Sequence, residues 1–377
     1  MSYLGLTWDH PRGRHALEAA ARQGGPVRWE VQPLEGFESA PIAENCARYD
    51  LVVLDHPHLG EALAADCLRP LDEIFSPDEL RAIADRAIGP SMESYVMAGR
   101  VWALPLDAAT QVMAWRPDLL EQAPVTWDEV ATLSRRTGRV ALSLAGPHAW
   151  LSFLSVCHAI RPDLDLREGD TSVPRAVAIR ALTILADLAQ RSPASVLGKN
   201  PIGILEHMSG GHDDVALCPL VYGYVNYAAP SRSVPLRFAN APRIAAGQPP
   251  GSILGGTGIA VSRRAQVDEA LRAHLLWLLG PEAQQGFIPA HDGQPGTRAA
   301  WHDPAVNAAC GNFFSDTAET LEAASIRPRH DGGIAYQTAA SAAIRAGFAA
   351  GTDPANLADE LEAMFQTLRH PIKEPQP

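Results

Sequence analysis

Short apolar runs alternate with helical stretches over the first sixty residues. Tyr3 to Trp8 alternates into a strand, Asp9-His10-Pro11-Arg12-Gly13 interrupts it, and residues 14–23 read as a helix. Residues 27–31 form the next strand, and a polar connection with a short helix over 42–47 leads to Asp50-Leu51-Val52-Val53-Leu54-Asp55. An unmixed apolar run of this kind is what a parallel strand buried on both faces requires. Strand, helix, strand, helix, strand predicts a doubly wound α/β sheet, whose ligands sit beyond the carboxyl ends of the strands. The loops at residues 8–12 and 55–58 both have that address.

Further along, residues 71–87 are mostly helical and Ala98-Gly99 is a turn signal. Residues 101–104 make a short strand that Pro105 should end, because proline has no N–H for a ladder. Residues 111–115 make a second strand, and the small and polar residues 106–110 between them suit a crossing between two bodies. Thr126 and Glu129 have capping-box spacing ahead of an apolar helix face. Residues 140–144 read as a strand, 151–160 as a helix, and 174–190 as an amphipathic helix started by Thr171-Ser172. Residues 214–220 read as a strand running into Tyr222-Gly223-Tyr224, and loop chemistry dominates 228–251. A helix over 266–279 stops at Gly280-Pro281, and two helices, near 336–350 and over 353–368, close the chain.

Length changes the picture by requiring more than one core: 377 residues exceed what a single core usually serves, so two α/β lobes are expected. A net charge of −12, with no basic run longer than Arg135-Arg136 or Arg263-Arg264, argues against a nucleic-acid partner, which needs clustered cations. Lysine occurs only at Lys199 and Lys373, neither in a convincing Schiff-base setting. Five cysteines, Cys46, Cys67, Cys157, Cys218 and Cys310, are widely spaced without a CxxC pair and read as buried thiols. No apolar run is long enough to span a bilayer, so the chain is not expected to be membrane-inserted, and Met1-Ser2 leads into the first strand without a leader pattern.

Several stretches then agree in one order with a known family. Tyr95 is followed by Gly99-Arg100-Val101-Trp102-Ala103-Leu104-Pro105, a strand ending at Trp115, and Asp118-Leu119-Leu120. Pro124-Val125-Thr126-Trp127-Asp128-Glu129 comes next, then Gly255-Gly256-Thr257-Gly258-Ile259-Ala260-Val261-Ser262, the stretch from Gly293 to Arg298, and Arg327-Pro328-Arg329 before the last helices. This succession resembles the extracellular solute-binding proteins of family 1, relatives of maltose-binding protein, over nearly the whole chain. The resemblance implies a type II periplasmic-binding-protein fold: two doubly wound α/β lobes, crossings near Asp107, Ser252 and Ser315, and a ligand cleft between the lobes. The lobes would be residues 1–108 plus 253–314 and residues 109–252 plus 315–377. It further implies a monomer without cofactor or metal that captures one small polar solute by hinge closure, presents it to an ABC permease and catalyses nothing. The compartment would be periplasmic, whereas a natural start at Met1 would make it cytoplasmic and leave room for a cytosolic metabolite-sensing relative.

Residue chemistry narrows the candidate contacts. A small-ligand site needs apolar faces plus a few polar groups that fix orientation. Trp8, Asp9, His10 and Arg12 offer both after the first strand, and Asp55 and His56 share that address after the third, while His58 reads as a solvated loop residue. Asp107 lies in the crossing itself. His148 and Trp150 follow one strand of the second lobe and Tyr222 and Tyr224 another, where their rings could stack on a sugar or pack the lobe; Trp115 reads as core. Gly256 and Thr257 permit close backbone approach or a tight hinge. Aromatic rings favour a carbohydrate or polyol, and His10, Arg12, His56 and His148 suit a carboxylate or phosphate equally. The competing chemistry is a metal-dependent hydrolase using Asp9, His10, Asp55 and His56. Phosphate-loop and dinucleotide readings fail, since Pro193 and Asn200 occupy required positions of the first and the glycines at 255, 256 and 258 miss the spacing of the second.

Overall fold

The computed structural model describes residues 2–167 and 172–368. Its strands are β1 (Tyr3–Trp8), β2 (Val27–Gln32), β3 (Leu51–Leu54), β4 (Val96–Met97), β5 (Arg100–Val101), β6 (Leu104–Trp115), β7 (Leu217–Tyr222), β8 (Arg237–Ala239) and β9 (Leu254–Val261). The helices that matter for the site are α1 (Pro11–Arg22), α2 (Leu34–Ser39), α3 (Ile42–Arg48), α4 (Leu59–Ala64), α5 (Pro77–Arg86), α6 (Trp127–Thr137), α7 (His148–Ile160) and α8 (Arg175–Ala189). The chain divides into two compact units, unit 1 being Met1–Ala109 with Gly255–Ala308 and unit 2 Thr110–Leu254 with Ala309–Pro377.

In unit 1 the strand order is β2-β1-β3-β9-β6. β1 runs parallel to β2 and β3, whereas β9 returns antiparallel with Leu51 opposite Val261, so the sheet is mixed. All four residues of β3 are buried, as the unmixed run requires. Leu6, Val52, Leu54, Leu59, Tyr95 and Ala260 form the core beside it. β4 and β5 are a hairpin whose turn residues, Ala98 and Gly99, take φ of 52° and 72°, the left-handed pair that the strand twist favours.

Two expectations fail here. Pro105 does not end a strand, because β6 is one strand of twelve residues with Pro105 at its second position, where a missing donor is tolerated. The polar connection before residue 42 contains α2.

Unit 2 is built on the second half of β6, flanked by β7 with Gln111 opposite Tyr222 and by β8 with Met113 opposite Ala239. α6 begins in the expected capping box, Thr126 accepting from the Glu129 N–H while Glu129 reaches back to the Thr126 N–H at 3.1 Å. α7, α8, Gly333–Ala350 and Pro354–Leu368 pack around Leu154, Leu182, Leu185, Ile344 and Leu361. Each fully buried leucine there contributes about 1.5–3 kcal/mol. Residues 140–144 form no strand; only Val140 bridges to Leu217, and the apolar run is buried by tertiary packing instead. α7 starts at His148, ahead of the expected 151, and α8 at Arg175; Thr171, expected to start it, lies outside the described residues.

Where β6 enters unit 2 a polar network is sealed from solvent. Thr110 Oγ1 donates to the Ile253 carbonyl at 2.8 Å and lies 2.6 Å from Ser252 Oγ, which donates to the Gln111 carbonyl at 2.6 Å. The Gln111 side chain accepts from Ser155 Oγ at 2.7 Å and donates to Ser152 Oγ at 3.3 Å, both on α7. With every member satisfied, such a network fixes one arrangement of these segments. No helix among the described residues is long and apolar enough to cross a membrane.

Candidate functional site

The best-built polar group in unit 1 forms where β1 gives way to α1. Pro11 occupies the first helical turn, where its missing N–H costs nothing, and His10 caps the helix by accepting the Arg12 N–H at its Nδ1, 3.2 Å away. This geometry turns the Arg12 side chain inward, where it is buried together with Asp107 of β6. Arg12 Nε donates to Asp107 Oδ2 at 2.7 Å and Nη2 to Oδ1 at 2.5 Å, a bidentate pair. The Trp8 indole stacks on His10, centroids 5.3 Å apart and nearly coplanar, and the Arg12 guanidinium stands 5.7 Å from the Trp8 ring. Gly13 makes room for that ring, since a Cβ there would come within 2.4 Å of it.

Gly256 and Thr257 approach the same pair from β9. Gly256 has φ of 91°, and a Cβ at that position would stand 2.4 Å from the Asp107 carbonyl oxygen. Arg12, Asp107, Thr257 and Gln294 line a cavity of about 20 Å³, room for one water. Gln294 anchors β6 by donating to the Ala108 carbonyl at 3.1 Å, and buried Gln284 does the same at Leu106 at 3.2 Å. Gln284 sits in no motif, and Gln294 stood out only as part of the stretch from Gly293 to Arg298.

Other candidates have different surroundings. Asp9 is exposed and ion-paired with Arg14 at 3.4 Å. Asp55 caps the short turn His56–His58, accepting the His56 N–H at 3.0 Å, and His56 is buried edge-on to Tyr95. His58, expected in solvent, is buried too, because it closes the short turn and leads directly into α4 instead of standing in an open loop. Among the described residues no three His, Cys, Asp or Glu side chains are grouped to hold a metal ion.

In unit 2, His148 is the first residue of α7, buried and edge-on to Tyr222 at 5.9 Å. The Tyr222 hydroxyl donates to the Leu254 carbonyl at 3.4 Å, and Arg327 Nε donates to the same oxygen at 2.9 Å. Tyr224 is buried with its ring toward Tyr227, which itself carries the Arg232 guanidinium 4.3 Å over its face. Trp150 belongs to the core, between Phe153 and Tyr336, and not to the group around Tyr222. Trp115 packs against the same core, as expected. Arg329, buried beside Arg327 in the chain, carried only a family resemblance in the sequence, and buried His330 after it carried no signal.

The sequence matches the family of bacterial extracellular solute-binding proteins over residues 35–308. It is similar to a maltotriose-binding protein of Pyrococcus abyssi, 29% identical over 102 residues, which is 25% of this chain and 22% of that protein. The chain thus aligns with about a fifth of that relative's length. The fold is similar to an ABC transporter solute-binding protein from Agrobacterium radiobacter K84 in complex with ribitol, with a TM-score of 0.78 at 20% identity over 98% of this chain and 99% of that one. It is similar to maltose-bound MalE3 of T. maritima, TM-score 0.77 at 16% identity, covering 98% and 100%. A third similar structure is an ABC transporter solute-binding protein of Agrobacterium vitis S4 with bound D-mannitol, TM-score 0.71 at 16% identity, covering 97% of each chain. The shared architecture is the type II periplasmic-binding-protein fold.

Proposed function

Because the chain belongs to the family of bacterial extracellular solute-binding proteins, we propose that it captures one small uncharged polar solute, a sugar or polyol, for an ABC-type importer and leaves it chemically unchanged. The observation that carries this reading is the buried Arg12–Asp107 pair against the Trp8–His10 stack. A guanidinium paired with a carboxylate presents no net charge to attract an anion, and the stacked rings supply an apolar face. Trp8, His10, Arg12, Asp107, Gly256 and Thr257 are the contacts assigned in unit 1, with His148 and Tyr222 in unit 2. Ribitol, maltose and D-mannitol in similar structures support the solute class. The extracytoplasmic compartment and a permease partner follow from the family's setting.

A thermal-shift panel tests this, since a ligand that binds only the folded chain raises its melting point, by about 2.7 kcal/mol of stability at a hundredfold excess over Kd. Ribitol, mannitol, maltose and maltotriose would be compared with small carboxylates at low and high salt. The expected result is stabilisation by a neutral polyol or sugar that salt leaves unchanged. Stabilisation by carboxylates alone, falling with salt, would overturn the neutral-solute assignment.

A further inference from the structure

β2 ends the sheet order, paired with β1 on one side, and among the described residues no strand or bridge pairs with its other side. The ladder to β1 shows which backbone groups that leaves over. The Tyr3 N–H donates to the Pro26 carbonyl and the Asp9 N–H to the Gln32 carbonyl, both at 2.8 Å, so the even-numbered residues here turn their backbone groups toward β1. Direction alternates along a strand, and Val27, Trp29 and Val31 therefore aim their N–H and C=O groups at the open edge. Few of the devices that keep such edges apart are present. Pro26 and Pro33 flank β2 but no proline lies inside it, none of its residues has a positive φ, and Val31 is an apolar side chain 39% exposed. Its two charges have opposite signs and share one face of the strand. Arg28 Nη2 stands 3.5 Å from Glu30 Oε1, both side chains are open to solvent, and the Tyr49 hydroxyl donates to Glu30 Oε2 at 2.9 Å.

We propose that this edge pairs with the same edge of a second copy of the chain, antiparallel about a two-fold axis at Trp29, making a dimer through one continuous sheet. A closed two-fold pair requires antiparallel strands, and only registers that set odd-numbered residues opposite each other bring the outward groups together. Centring on Trp29 uses all of them. Trp29 meets the partner's Trp29, Val27 meets the partner's Val31 and Val31 the partner's Val27, each exchanging both hydrogen bonds. The same register sets Arg28 opposite the partner's Glu30 and Glu30 opposite the partner's Arg28. These are the non-hydrogen-bonded positions, where Cα atoms stand about 4.5 Å apart and side chains come closest. Moving the axis to Arg28 or to Glu30 gives up one of the exchanges and sets arginine on arginine or glutamate on glutamate, so charge selects the register. Room for the partner's Val31 exists beside Val27, in an open cleft of about 470 Å³ lined by Ser2, Ala21, Arg22, Val27 and Trp29. This assembly departs from the monomer that the family resemblance implies and does not depend on which solute binds.

Sedimentation velocity and light scattering on the full-length chain over a range of concentrations test the pairing. The mass is expected to rise with concentration from 40.4 kDa toward twice that value. Arg28→Glu sets acid against acid and Glu30→Arg base against base, so each should weaken dimerisation roughly tenfold or more as both facing pairs turn from attraction to repulsion. Mixed in equal amounts, the two variants carry opposite charges at every facing position and should dimerise with each other. Val31→Pro removes an N–H aimed at the edge and none aimed at β1, and should leave a folded monomer. A wild-type mass fixed at 40.4 kDa, single-charge variants that dimerise as the wild type does, or a mixture that stays monomeric would overturn the proposal. Hydrogen exchange of the wild-type chain decides even if a variant misfolds: the amides of Val27, Trp29 and Val31 should exchange more slowly as concentration rises, and unchanged rates there would overturn it as well.

Discussion

Replacing Gly256 by alanine separates two costs that the structure combines at one position. The first is conformational: φ of 91° is a left-handed backbone that an L side chain adopts at a cost of about 1–2 kcal/mol. The second is steric, because the new Cβ would stand 2.4 Å from the Asp107 carbonyl oxygen and 2.9 Å from the Ala108 Cα, both backbone atoms that cannot swing aside. Overpacking of that kind costs about 1–3 kcal/mol, so Gly256→Ala should lose roughly 2–5 kcal/mol. Gly99→Ala is the matched control, since Gly99 has φ of 72° but open space where its Cβ would go, and should lose only the conformational part. Urea unfolding of both variants by tryptophan fluorescence and far-UV circular dichroism compares the midpoints at similar slope. Because Asp107 holds Arg12, Gly256→Ala should also reduce stabilisation by the best sugar or polyol, while Gly99→Ala leaves it intact. Equal destabilisation of the two variants would refute the steric argument, and an unchanged ligand response in Gly256→Ala would detach β9 from the proposed site.

Asp107→Asn keeps the shape and removes the carboxylate charge from the buried Arg12 pair, and should cost roughly 3–5 kcal/mol in a urea titration. The double variant Arg12→Met with Asp107→Leu should recover most of that stability yet lose the solute-induced thermal shift; retention of the shift would show that the pair is structural only. His158 predicts a pH dependence. Burial lowers its pKa from 6.5 to about 4 in the folded chain, with Asp165 opposing weakly, and its Nδ1 lies 2.9 Å from Ser325 Oγ. As pH falls below 6.5 the unfolded chain therefore takes the proton first, so this contribution is complete above pH 6.5 and is lost as pH falls toward 4, about 3 kcal/mol in all. His158→Gln should flatten the slope of stability across that interval, measured by urea titrations at stepped pH, and an unaltered slope would contradict it.

What could be read from the sequence was local. The run Leu51–Leu54 announces a strand buried on both faces because no polar residue breaks it, and Thr126 with Glu129 announces α6 because the cap is complete within four residues. Misreadings came where tertiary packing outweighed local signals. Pro105 looked like a terminator although a strand's second position can spare one donor, and residues 140–144 looked like a strand although packing on all sides buries an apolar run equally well. For the site, Arg12 and Asp107 each stood out by position, but their pairing spans 95 residues and leaves no local trace. His58 shows in turn that a histidine in a loop has the same letter whether wet or dry.

The partner of β3 in its sheet is β9, with Leu51 opposite Val261, so about two hundred residues are made between one strand and the other. At ribosomal rates of roughly 5–20 residues per second, the hydrogen-bonding edge of β3 waits on the order of ten to forty seconds for its mate. An open, wholly apolar strand edge invites pairing with other chains during that interval. Early completion of the amino-terminal sheet is thereby denied to the nascent chain, which has to keep that edge from other chains until the far half of unit 1 has been made.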